Sequence, residues 1–252
     1  MNNIYNLSGK KVFITGGTGG IGSAAVKNFV EREKAEVFFT SSSQEKINKL
    51  MGQIDVSDTK VHSGICNMAN NEDISLAVKD ALEKMGKIDV LVCNAGTNLD
   101  KLFMRMTFED WSNVININLN ANFYLISQVF KKMMMQKSGS IILISSLVGS
   151  IGNIGQANYA ASKAGLEGMA RSLALESARF GVTVNSIAPG FITTEMSAKI
   201  PEDIKNKMTE RIPMNHFGST NDIYEMIAFL ASDGAKYITG QTFHVNGGMY
   251  LN

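Results

Sequence analysis

The chain has 252 residues, of which 44% are hydrophobic and 19% are charged, and its formal net charge is +1. This composition excludes an intrinsically disordered chain, and the near-zero charge excludes recognition of nucleic acid or of an anionic membrane through overall charge. No stretch reaches the roughly 18 apolar residues that a membrane span needs, so we expect a soluble protein.

The N-terminal stretch MNNIYNLSGKK and the two cysteines both predict a cytoplasmic protein. The stretch lacks the apolar core of a secretion signal and the Arg-rich pattern of an organelle-targeting peptide, so an organellar location requires that a targeting peptide was removed. Cys66 and Cys93 lie in apolar strand-like runs without CxxC or zinc spacing. This predicts reduced core residues and no metal site.

Short apolar runs alternate with segments of helical period from one end of the chain to the other. The predicted strands lie at residues 11–15, 36–40, 60–65, 88–93, 140–145, 182–188 and 241–245. Repeated strand-helix-strand units predict a parallel sheet with helices on both faces. The expected fold is therefore α/β, a single doubly wound Rossmann-type domain over residues 1–252 with a seven-stranded parallel sheet.

All three prolines, Pro189, Pro201 and Pro213, follow the sixth predicted strand. Their clustering predicts one long irregular region over residues 189–217. At the carboxyl edge of a doubly wound sheet, such a region is typical of a lid on the substrate side. A plain surface excursion is the alternative.

A glycine-rich turn follows the first predicted strand, in the stretch TGGTGGIGSAAV. Gly16, Gly20 and Gly22 form a GxxxGxG pattern where a helix is expected to begin. Glycine lets the backbone turn tightly and approach a pyrophosphate, whose charge is met by the amides of the helix N-terminus. Such turns also serve packing alone, but a strand before the turn and a helix after it favour a dinucleotide site.

The end of the second predicted strand bears on which dinucleotide is bound. NAD sites place an acidic side chain there, which holds the ribose 2′-hydroxyl and repels a 2′-phosphate. Here the end of the strand has Thr40 and Ser41 and no acidic residue. Lys46 adds a positive charge nearby. These residues favour NADPH, although the glycine turn carries Thr18 and Gly19 and contributes no arginine.

Tyr159 and Lys163 stand four positions apart in a segment rich in alanine and glycine. This spacing puts both side chains on one face of a helix. A free phenol has a pKa of about 10, too high for efficient proton exchange at neutral pH, and a nearby ammonium lowers it. A plain amphipathic helix would show the same pair, but Ser146 stands just past the fifth strand, where doubly wound sheets place their chemistry.

Several motifs, in their order along the chain, resemble those of the short-chain dehydrogenase/reductase family. They are TGGTGGIG (15–22), NAG (94–96), Asn118 in NINL, Ser146, YAASK (159–163) and APGFITTEM (188–196). The resemblance covers essentially the whole chain. It implies a Rossmann fold and a reaction that transfers hydride between a nicotinamide cofactor and a carbonyl compound.

The resemblance implies a catalytic tetrad of Asn118, Ser146, Tyr159 and Lys163. Tyr159 would give a proton to a ketone oxygen, and Ser146 would hydrogen-bond the same oxygen as negative charge develops there. Lys163 would lower the pKa of Tyr159 and hold the hydroxyls of the nicotinamide ribose. Asn118 would anchor a water that links Lys163 to bulk solvent.

The resemblance also implies a set of cofactor contacts along the chain. The predicted contacts are Gly16, Thr18, Gly20, Ile21, Gly22, Thr40, Ser41, Asn67, Asn94, Ala95, Gly96, Tyr159, Lys163, Pro189, Gly190, Ile192 and Thr194. Asn67 stands where relatives place Asp or Asn against the adenine, and residues 94–96 would line the adenosine side. Ile192 and Thr194 match positions that contact the nicotinamide carboxamide and the phosphates. Cys93 departs from the family pattern, which usually has asparagine there.

Three longer stretches resemble the branch of the family that reduces 3-oxoacyl groups carried by acyl carrier protein in fatty acid synthesis. They are residues 100–111, 152–165 and 237–249. Because acyl carrier protein is strongly acidic, its reductase needs a basic patch near the active-site mouth. The candidates for this patch are Lys131, Lys132, Lys137, Arg171 and Arg179, with a solvated helix end as the alternative for each.

The resemblance further implies a homotetramer. In relatives, the helix that carries Tyr159 and the long helix before it pair across one interface, and the C-terminal HVNGGMY lies at a second.

Two alternatives to this activity stay open. The first keeps the fold and the chemistry but acts on another carbonyl, such as acetoacetyl-CoA, a sugar or a steroid-like ketone. The second is a regulator or scaffold that binds the cofactor without turnover. The presence of Asn118, Ser146, Tyr159 and Lys163 together argues against the second, because a protein without catalysis has no physical need for all four.

Overall fold

The computed structural model describes residues 5–194, 197 and 201–251. Within them the strands are β1 (Lys11–Ile14), β2 (Glu36–Ser41), β3 (Val61–Ile65), β4 (Val90–Cys93), β5 (Gly139–Ile144), β6 (Val182–Pro189), β7 (Ile192–Thr193), β8 (Gly218–Ser219) and β9 (Thr242–Val245). The helices are α1 (Gly20–Glu31), α2 (Gln44–Met51), α3 (Asn71–Met85), α4 (Phe108–Ile115), α5 (Ala121–Gln136), α6 (Leu147–Ile151), α7 (Ala157–Ser177), α8 (Glu202–Thr209) and α9 (Thr220–Ala231). None of the helices described here is long and apolar enough to cross a membrane.

Seven of these strands form one parallel sheet in the order β3-β2-β1-β4-β5-β6-β9. The central strand β1 pairs on both sides, with Val12 opposite Val37 of β2 and Val90 of β4. Each strand of the sheet begins and ends within two residues of its predicted bounds. The prediction of a doubly wound α/β fold with a seven-stranded parallel sheet is confirmed.

Hydrophobic cores cover both faces of the sheet, as a parallel sheet requires. Successive residues of β1 point to opposite faces, since side chains alternate along a strand. Ile14 packs with Phe29 of α1 and Ile227 of α9 on one face. Phe13 packs on the other face, in the cluster that includes Leu166 of α7. The two cores fix the helices against the sheet and so determine where the helix ends lie.

Both cysteines are free and buried in the core, as predicted from their apolar surroundings. Burial raises the pKa of the Cys66 thiol to about 11, and burial likewise raises the pKa of the Cys93 thiol. A thiol is nucleophilic only as the thiolate, so both cysteines are unreactive side chains of the core.

The excursion over residues 189–217 contains regular structure that the sequence analysis does not predict. Its described part includes β7 and α8, and β7 pairs with β8 just after it, with Ile192 opposite Gly218. The rings of Phe191 and Phe217 pack with their centroids 5.5 Å apart where the two ends of the excursion meet. Residues 195, 196 and 198–200 of the predicted lid lie outside the described residues.

The strand order creates a crevice at the carboxyl edge of the sheet, between β1 and β4. From β1 the chain moves outward through β2 and β3, and β4 then returns to the opposite side of β1. Ligands of doubly wound sheets bind outside the carboxyl ends of the strands where the order reverses in this way. The candidate residues after β1, β4, β5 and β6 all belong to this edge.

Two glycines of the turn between β1 and α1, Gly16 and Gly22, are packed so closely that they have no room for a side chain. Gly16 has a φ of +63°, and a Cβ there would lie 2.9 Å from the Cα of Ala95. A Cβ on Gly22 would lie 2.2 Å from the carbonyl oxygen of Gly16 and 2.7 Å from Nδ2 of Asn94. Glycine is therefore required for the turn to approach the segment after β4.

Replacing Gly22 by alanine tests this packing. We expect Gly22→Ala to lower the free energy of unfolding by about 2 kcal/mol or more, because the new methyl group must displace backbone rather than a flexible side chain. Gly19→Ala is the matched control in the same turn, since a Cβ there meets only the carbonyl oxygen of Gly16 at 3.5 Å. Urea unfolding of both variants measures the difference, and equal midpoints would contradict the packing argument.

Candidate active site

Tyr159 and Lys163 lie one turn apart in the first part of α7, as their spacing predicts. The side chain of Lys163 is buried, and its Nζ donates a hydrogen bond of 2.8 Å to the carbonyl oxygen of Ile144 at the end of β5. The same ammonium lies 5.5 Å from the centroid of the Tyr159 ring. The ammonium therefore faces both the phenol and the carboxyl edge of the sheet.

Ser146 occupies the position between the end of β5 and the start of α6. It is the N-cap of α6, where its Oγ accepts a hydrogen bond of 3.2 Å from the backbone N–H of Val148. Its side chain also lies near the phenol of Tyr159 and lowers the pKa of that phenol. The structure thus brings a serine hydroxyl and a tyrosine hydroxyl together at the carboxyl edge of the sheet.

Burial shifts the pKa values of this pair of helix residues in opposite directions. It raises the pKa of Tyr159, and Asp100 raises it slightly further, while the hydrogen bond from Ser146 lowers it. Burial lowers the pKa of Lys163 to about 8. The structure does not show the lowered phenol pKa that the sequence analysis expects from Lys163, because desolvation outweighs the effect of neighbouring groups. At pH 7 both side chains hold their protons.

Asn118 lies in a wide, π-type turn over Asn116–Asn120, between α4 and α5. Such turns are rare and occur mostly at functional sites. The buried side chain of Asn118 accepts a hydrogen bond of 2.8 Å from the N–H of Thr97 and donates one of 2.8 Å to the carbonyl oxygen of Thr97. Its Nδ2 also donates to Oγ of Ser162 at 3.1 Å, and Ser162 donates to the carbonyl oxygen of Tyr159 at 2.7 Å.

A shared contact places Asn118 beside Lys163. A Cβ built on Gly96 would lie 3.2 Å from Oδ1 of Asn118 and 3.4 Å from Nζ of Lys163. Gly96 therefore leaves open the space between the two functional groups. All four residues of the predicted tetrad belong to one region at the carboxyl edge of the sheet.

The segment after β4 is tied to the glycine turn after β1. Nδ2 of Asn94 donates to the carbonyl oxygens of Thr15 at 3.1 Å and of Gly16 at 3.0 Å. The hydroxyl of Thr15 in turn accepts hydrogen bonds of 3.1 Å from the N–H groups of Asn94 and Ala95. Asn94 thus holds the turn in place, a role that the sequence analysis did not assign to it.

The N-terminus of α1 is open to an anion. Its N-cap residue, Gly19, makes no side-chain cap, and the first turn, which includes Gly20, Ile21 and Gly22, carries no acidic residue. The helix dipole and the N-terminal amides therefore favour a phosphate here. A Cβ on Gly20 would lie 2.6 Å from Cγ2 of Thr194. Thr194 therefore lies beside this helix end, where a phosphate-contacting residue is expected.

The end of β2 meets the glycine turn through hydroxyl groups. Oγ1 of Thr18 and Oγ of Ser41 are 2.7 Å apart and hydrogen-bonded, and the N–H of Gly17 donates to the carbonyl oxygen of Thr40 at 2.8 Å. Lys46 lies exposed in the first turn of α2. This arrangement places hydroxyl groups where the ribose of a dinucleotide is expected, and the described end of β2 carries no carboxylate there.

The remaining predicted contacts lie at the rim of the crevice. Asn67 is exposed just after β3, and its Oδ1 accepts the N–H of Ala69 at 3.0 Å. Pro189 ends β6, and Gly190 donates its N–H to Val245 at 2.9 Å. Ile192, in β7, packs against the hydrophobic core.

The proposed basic patch lies far from the tetrad within one protomer. Lys131, Lys132 and Lys137 belong to the end of α5, which returns to the amino edge of the sheet before β5 begins at Gly139. Arg171 is twelve residues beyond Tyr159 in α7, roughly 18 Å along the helix. Within one protomer these residues lie at the other end of their helices from the tetrad, because helices of a parallel sheet run antiparallel to its strands, and a basic patch at the active-site mouth stays a prediction.

Arg179 lies at the same amino edge as the lysines. It belongs to the 3-10 turn Ala178–Phe180, just before β6 begins, and its guanidinium lies 4.8 Å from the centroid of the Phe180 ring.

Sequence reasoning missed three polar residues that organise the site, namely Thr15, Thr97 and Ser162. Each lies within or directly after a motif that was recognised, TGGTGGIG, NAG or YAASK. Their neighbours in sequence gave a signal, but their partners come from distant elements: Thr15 bonds a residue 79 positions away and Ser162 one 44 positions away.

Comparison with known proteins agrees with this geometry. Residues 16–250 match a family model described as enoyl-(acyl carrier protein) reductase. The chain is 46% identical over 248 residues to a protein of Rickettsia felis named 3-oxoacyl-(acyl-carrier-protein) reductase, covering 98% of this chain and 100% of that protein. It is 41% identical over 242 residues to a protein of the same name from Staphylococcus epidermidis, covering 96% and 99%.

These matches span nearly the whole chain, and the motifs recognised in the sequence lie together at one edge of a doubly wound sheet. The chain belongs to the short-chain dehydrogenase/reductase family.

Proposed function

We propose that this protein reduces 3-oxoacyl groups on acyl carrier protein to 3-hydroxyacyl groups in fatty acid synthesis, with NADPH as the reductant. The proposal rests above all on one observation: relatives that carry this activity in their names are 41–46% identical over nearly the full chain. Ser146 and Lys163 both lie beside Tyr159 at the carboxyl edge of the sheet, and this arrangement supports the proposal.

The residues at the carboxyl edge of the sheet fit a nicotinamide dinucleotide. Gly16 and Gly22 let the turn lie against the segment after β4, and the N-terminus of α1, which has no acidic residue in its first turn, directly follows. Gly16 to Gly22 and Thr194 would hold the phosphates, residues 94–96 the adenosine side, and Ile192 the carboxamide. The bound cofactor supplies a hydride to the carbonyl carbon.

The chain's own contribution to the reaction is to hold the ketone oxygen and to give it a proton. Ser146 lies close enough to the phenol of Tyr159 to lower the pKa of the phenol, and both hydroxyls would donate to the same ketone oxygen. As hydride adds to the carbonyl carbon, negative charge grows on that oxygen, and preorganised donors stabilise it. Tyr159 then transfers its proton. Its raised pKa keeps it protonated at neutral pH, as an acid catalyst must be.

The ammonium of Lys163 lies 5.5 Å from the ring of Tyr159, and its pKa is close to neutrality. Its ammonium stabilises the phenolate that remains after proton transfer, and with a pKa of about 8 it gives up a proton more readily than an exposed lysine. Asn118 lies across Gly96 from this ammonium and would anchor the water that returns the proton.

NADPH is favoured over NADH by the hydroxyl pair at the end of β2. Ser41 and Thr18 offer hydroxyl groups, and the described end of β2 carries no carboxylate that would repel a 2′-phosphate. Lys46 lies on the first turn of the following helix and adds a positive charge.

Assembly accounts for the distance between the basic patch and the site. If α5 and α7 pair with their copies across a two-fold axis in a homotetramer, each basic end lies beside the carboxyl edge of the partner. Exposed apolar side chains on these helices, Phe123 and Leu175, support such pairing. Acyl carrier protein would then approach one protomer's site over the partner's lysines.

Reduction of acetoacetyl-CoA or another carbonyl, and cofactor binding without turnover, remain as the two competing functions. Both are separated from the proposal by one assay of NADPH and NADH oxidation with acetoacetyl-acyl carrier protein and its coenzyme A analogue side by side. A higher kcat/KM for the acyl carrier protein substrate is the expected result, and no oxidation with any of these substrates would favour a regulator.

Tyr159→Phe removes the proton donor without removing the ring. We expect kcat to fall by about 100-fold or more, because a positioned acid contributes this much, while the fold and the Kd of NADPH stay unchanged. Circular dichroism and cofactor fluorescence serve as controls. Turnover close to that of the parent protein would rule out the assigned role of Tyr159.

Ser41→Asp places a carboxylate where the 2′-phosphate is expected. The parent protein should oxidise NADPH with a higher kcat/KM than NADH, and the variant should reduce this ratio at least about tenfold through charge repulsion. Ser41→Ala is the control, since it removes the hydroxyl without adding charge. A parent protein that prefers NADH would contradict the cofactor assignment.

Lys137→Glu reverses one charge of the basic patch. It should raise KM about threefold to tenfold for acyl carrier protein substrates and leave a small ketone ester unaffected, because only the carrier protein is strongly acidic. Lys236→Glu, at an exposed site beyond α9, is the matched control. Equal changes for the two substrates would discard Lys137 as a docking residue.

A further inference from the structure

One buried amide near the tetrad has no role in the mechanism described so far. Asn122 lies in the first turn of α5, directly after the wide turn that carries Asn118, and its side chain is 1% exposed. Its neighbours Ala121, Leu125 and Ile126 are buried hydrophobic residues. An apolar side chain would suit this position, so the amide calls for a physical explanation.

The two ends of the Asn122 amide have different surroundings. Nδ2 donates a hydrogen bond of 2.7 Å to the main-chain carbonyl oxygen of Asn118. Oδ1 is buried, and no hydrogen-bond partner for it is found among the described residues. A buried acceptor without a partner destabilises a fold, and asparagine is also a poor residue for a helix. Asn122 therefore lowers the free energy of unfolding relative to an apolar residue at this position.

The carbonyl that Asn122 holds belongs to an unusual backbone segment. In the wide turn the N–H of Ala121 donates to the carbonyl oxygen of Asn116, five residues earlier, in place of the usual four. This widening displaces the backbone at Asn118 from its ordinary helical position. A side-chain donor one turn further along the helix stabilises the displaced segment at that residue.

A continuous chain of hydrogen bonds leads from Asn122 to the catalytic tyrosine. Asn118 is bonded at both ends of its amide to the backbone of Thr97, and its Nδ2 reaches Ser162. Ser162 donates to the carbonyl oxygen of Tyr159. A shift of the Asn118 backbone would therefore displace both its side chain and the helix that carries the proton donor.

We propose that Asn122 is a positioning residue for carbonyl reduction: its amide holds the carbonyl of Asn118 within the wide turn and thereby fixes Asn118 against Thr97 and Ser162. This inference rests on the role given to Asn118 in the proposed mechanism. Asn122 touches neither substrate nor cofactor and acts only through Asn118.

The test compares Asn122→Leu with a control from the same turn. Leucine has the same branched shape and the same number of side-chain heavy atoms, and it removes both the donor and the buried acceptor without a partner. We expect its unfolding midpoint to equal or exceed that of the parent protein, while kcat falls about tenfold and KM for the cofactor stays within about twofold, because small displacements near reacting groups reduce the rate of the chemical step. Asn122→Ala, which adds no bulk, should show the same loss of kcat.

Asn120→Leu is the control, since Asn120 lies in the same wide turn but is exposed and bonds only Oδ1 of Asn116, at 2.8 Å. It should keep the parent kcat. Hydrogen exchange of the peptide containing Thr97, followed by mass spectrometry, gives a readout that does not depend on turnover. The Thr97 amide should exchange about tenfold faster in Asn122→Leu, in proportion to the loss of kcat, and at the parent rate in Asn120→Leu.

Three results would overturn the inference: an unchanged kcat in both Asn122 variants, a lower kcat with unchanged exchange at Thr97, or loss of kcat that only follows loss of stability. None of these results bears on Tyr159, whose own variant tests the proposed function separately.

Discussion

The candidate site depends on the close crossing of α6 and α7, because this crossing buries the ammonium of Lys163 at the end of β5. A Cβ on Gly149 of α6 would lie 3.0 Å from the backbone nitrogen of Ala164, so the two helices are in contact through their backbones. A buried ammonium is costly unless polar groups surround it, and here the carbonyl oxygen of Ile144 accepts its hydrogen bond. The same crossing brings Ser146 beside Tyr159.

Burial then determines the acid–base properties of the site. It favours the neutral form of each group, so it raises the pKa of the phenol and lowers that of the ammonium. The result differs from a simple ion-paired picture in which Lys163 makes Tyr159 acidic. Tyr159 keeps its proton at neutral pH, and Lys163, although buried, has a pKa of about 8 and so releases its proton nearer to neutral pH. This division suits a reduction, in which the tyrosine gives a proton and must regain it.

The cofactor end of the crevice is built from backbone and small side chains. Asn94 and Thr15 tie the glycine turn to the segment after β4, and Thr18 with Ser41 ties it to the end of β2. These bonds hold the turn open toward the N-terminus of α1. The turn itself has Gly19 and no arginine, and the hydroxyl groups of Thr18 and Ser41 lie at this end of the crevice, with Lys46 on the first turn of α2.

The sequence by itself predicted the fold, and it named four residues, Asn118, Ser146, Tyr159 and Lys163, that the structure brings to one edge of the sheet. Alternating apolar runs specify the strands because each is buried on both faces, and the four-residue spacing of Tyr159 and Lys163 specifies a shared helix face. These properties depend on residues close together in the chain, and the order of the motifs adds the family.

Only the tertiary structure decided the pKa values of the site residues and the hydrogen bonds between residues distant in sequence. The pKa values depend on burial by elements distant in sequence, and the bonds from Asn94 to Thr15 and from Asn118 to Ser162 join residues 79 and 44 positions apart. The tertiary structure also places the lysines at the end of α5 at the amino edge of the sheet, because the direction of a helix relative to the sheet follows from its packing. The pattern of one segment determines local structure, whereas the environment of a functional group is made by all the segments packed around it.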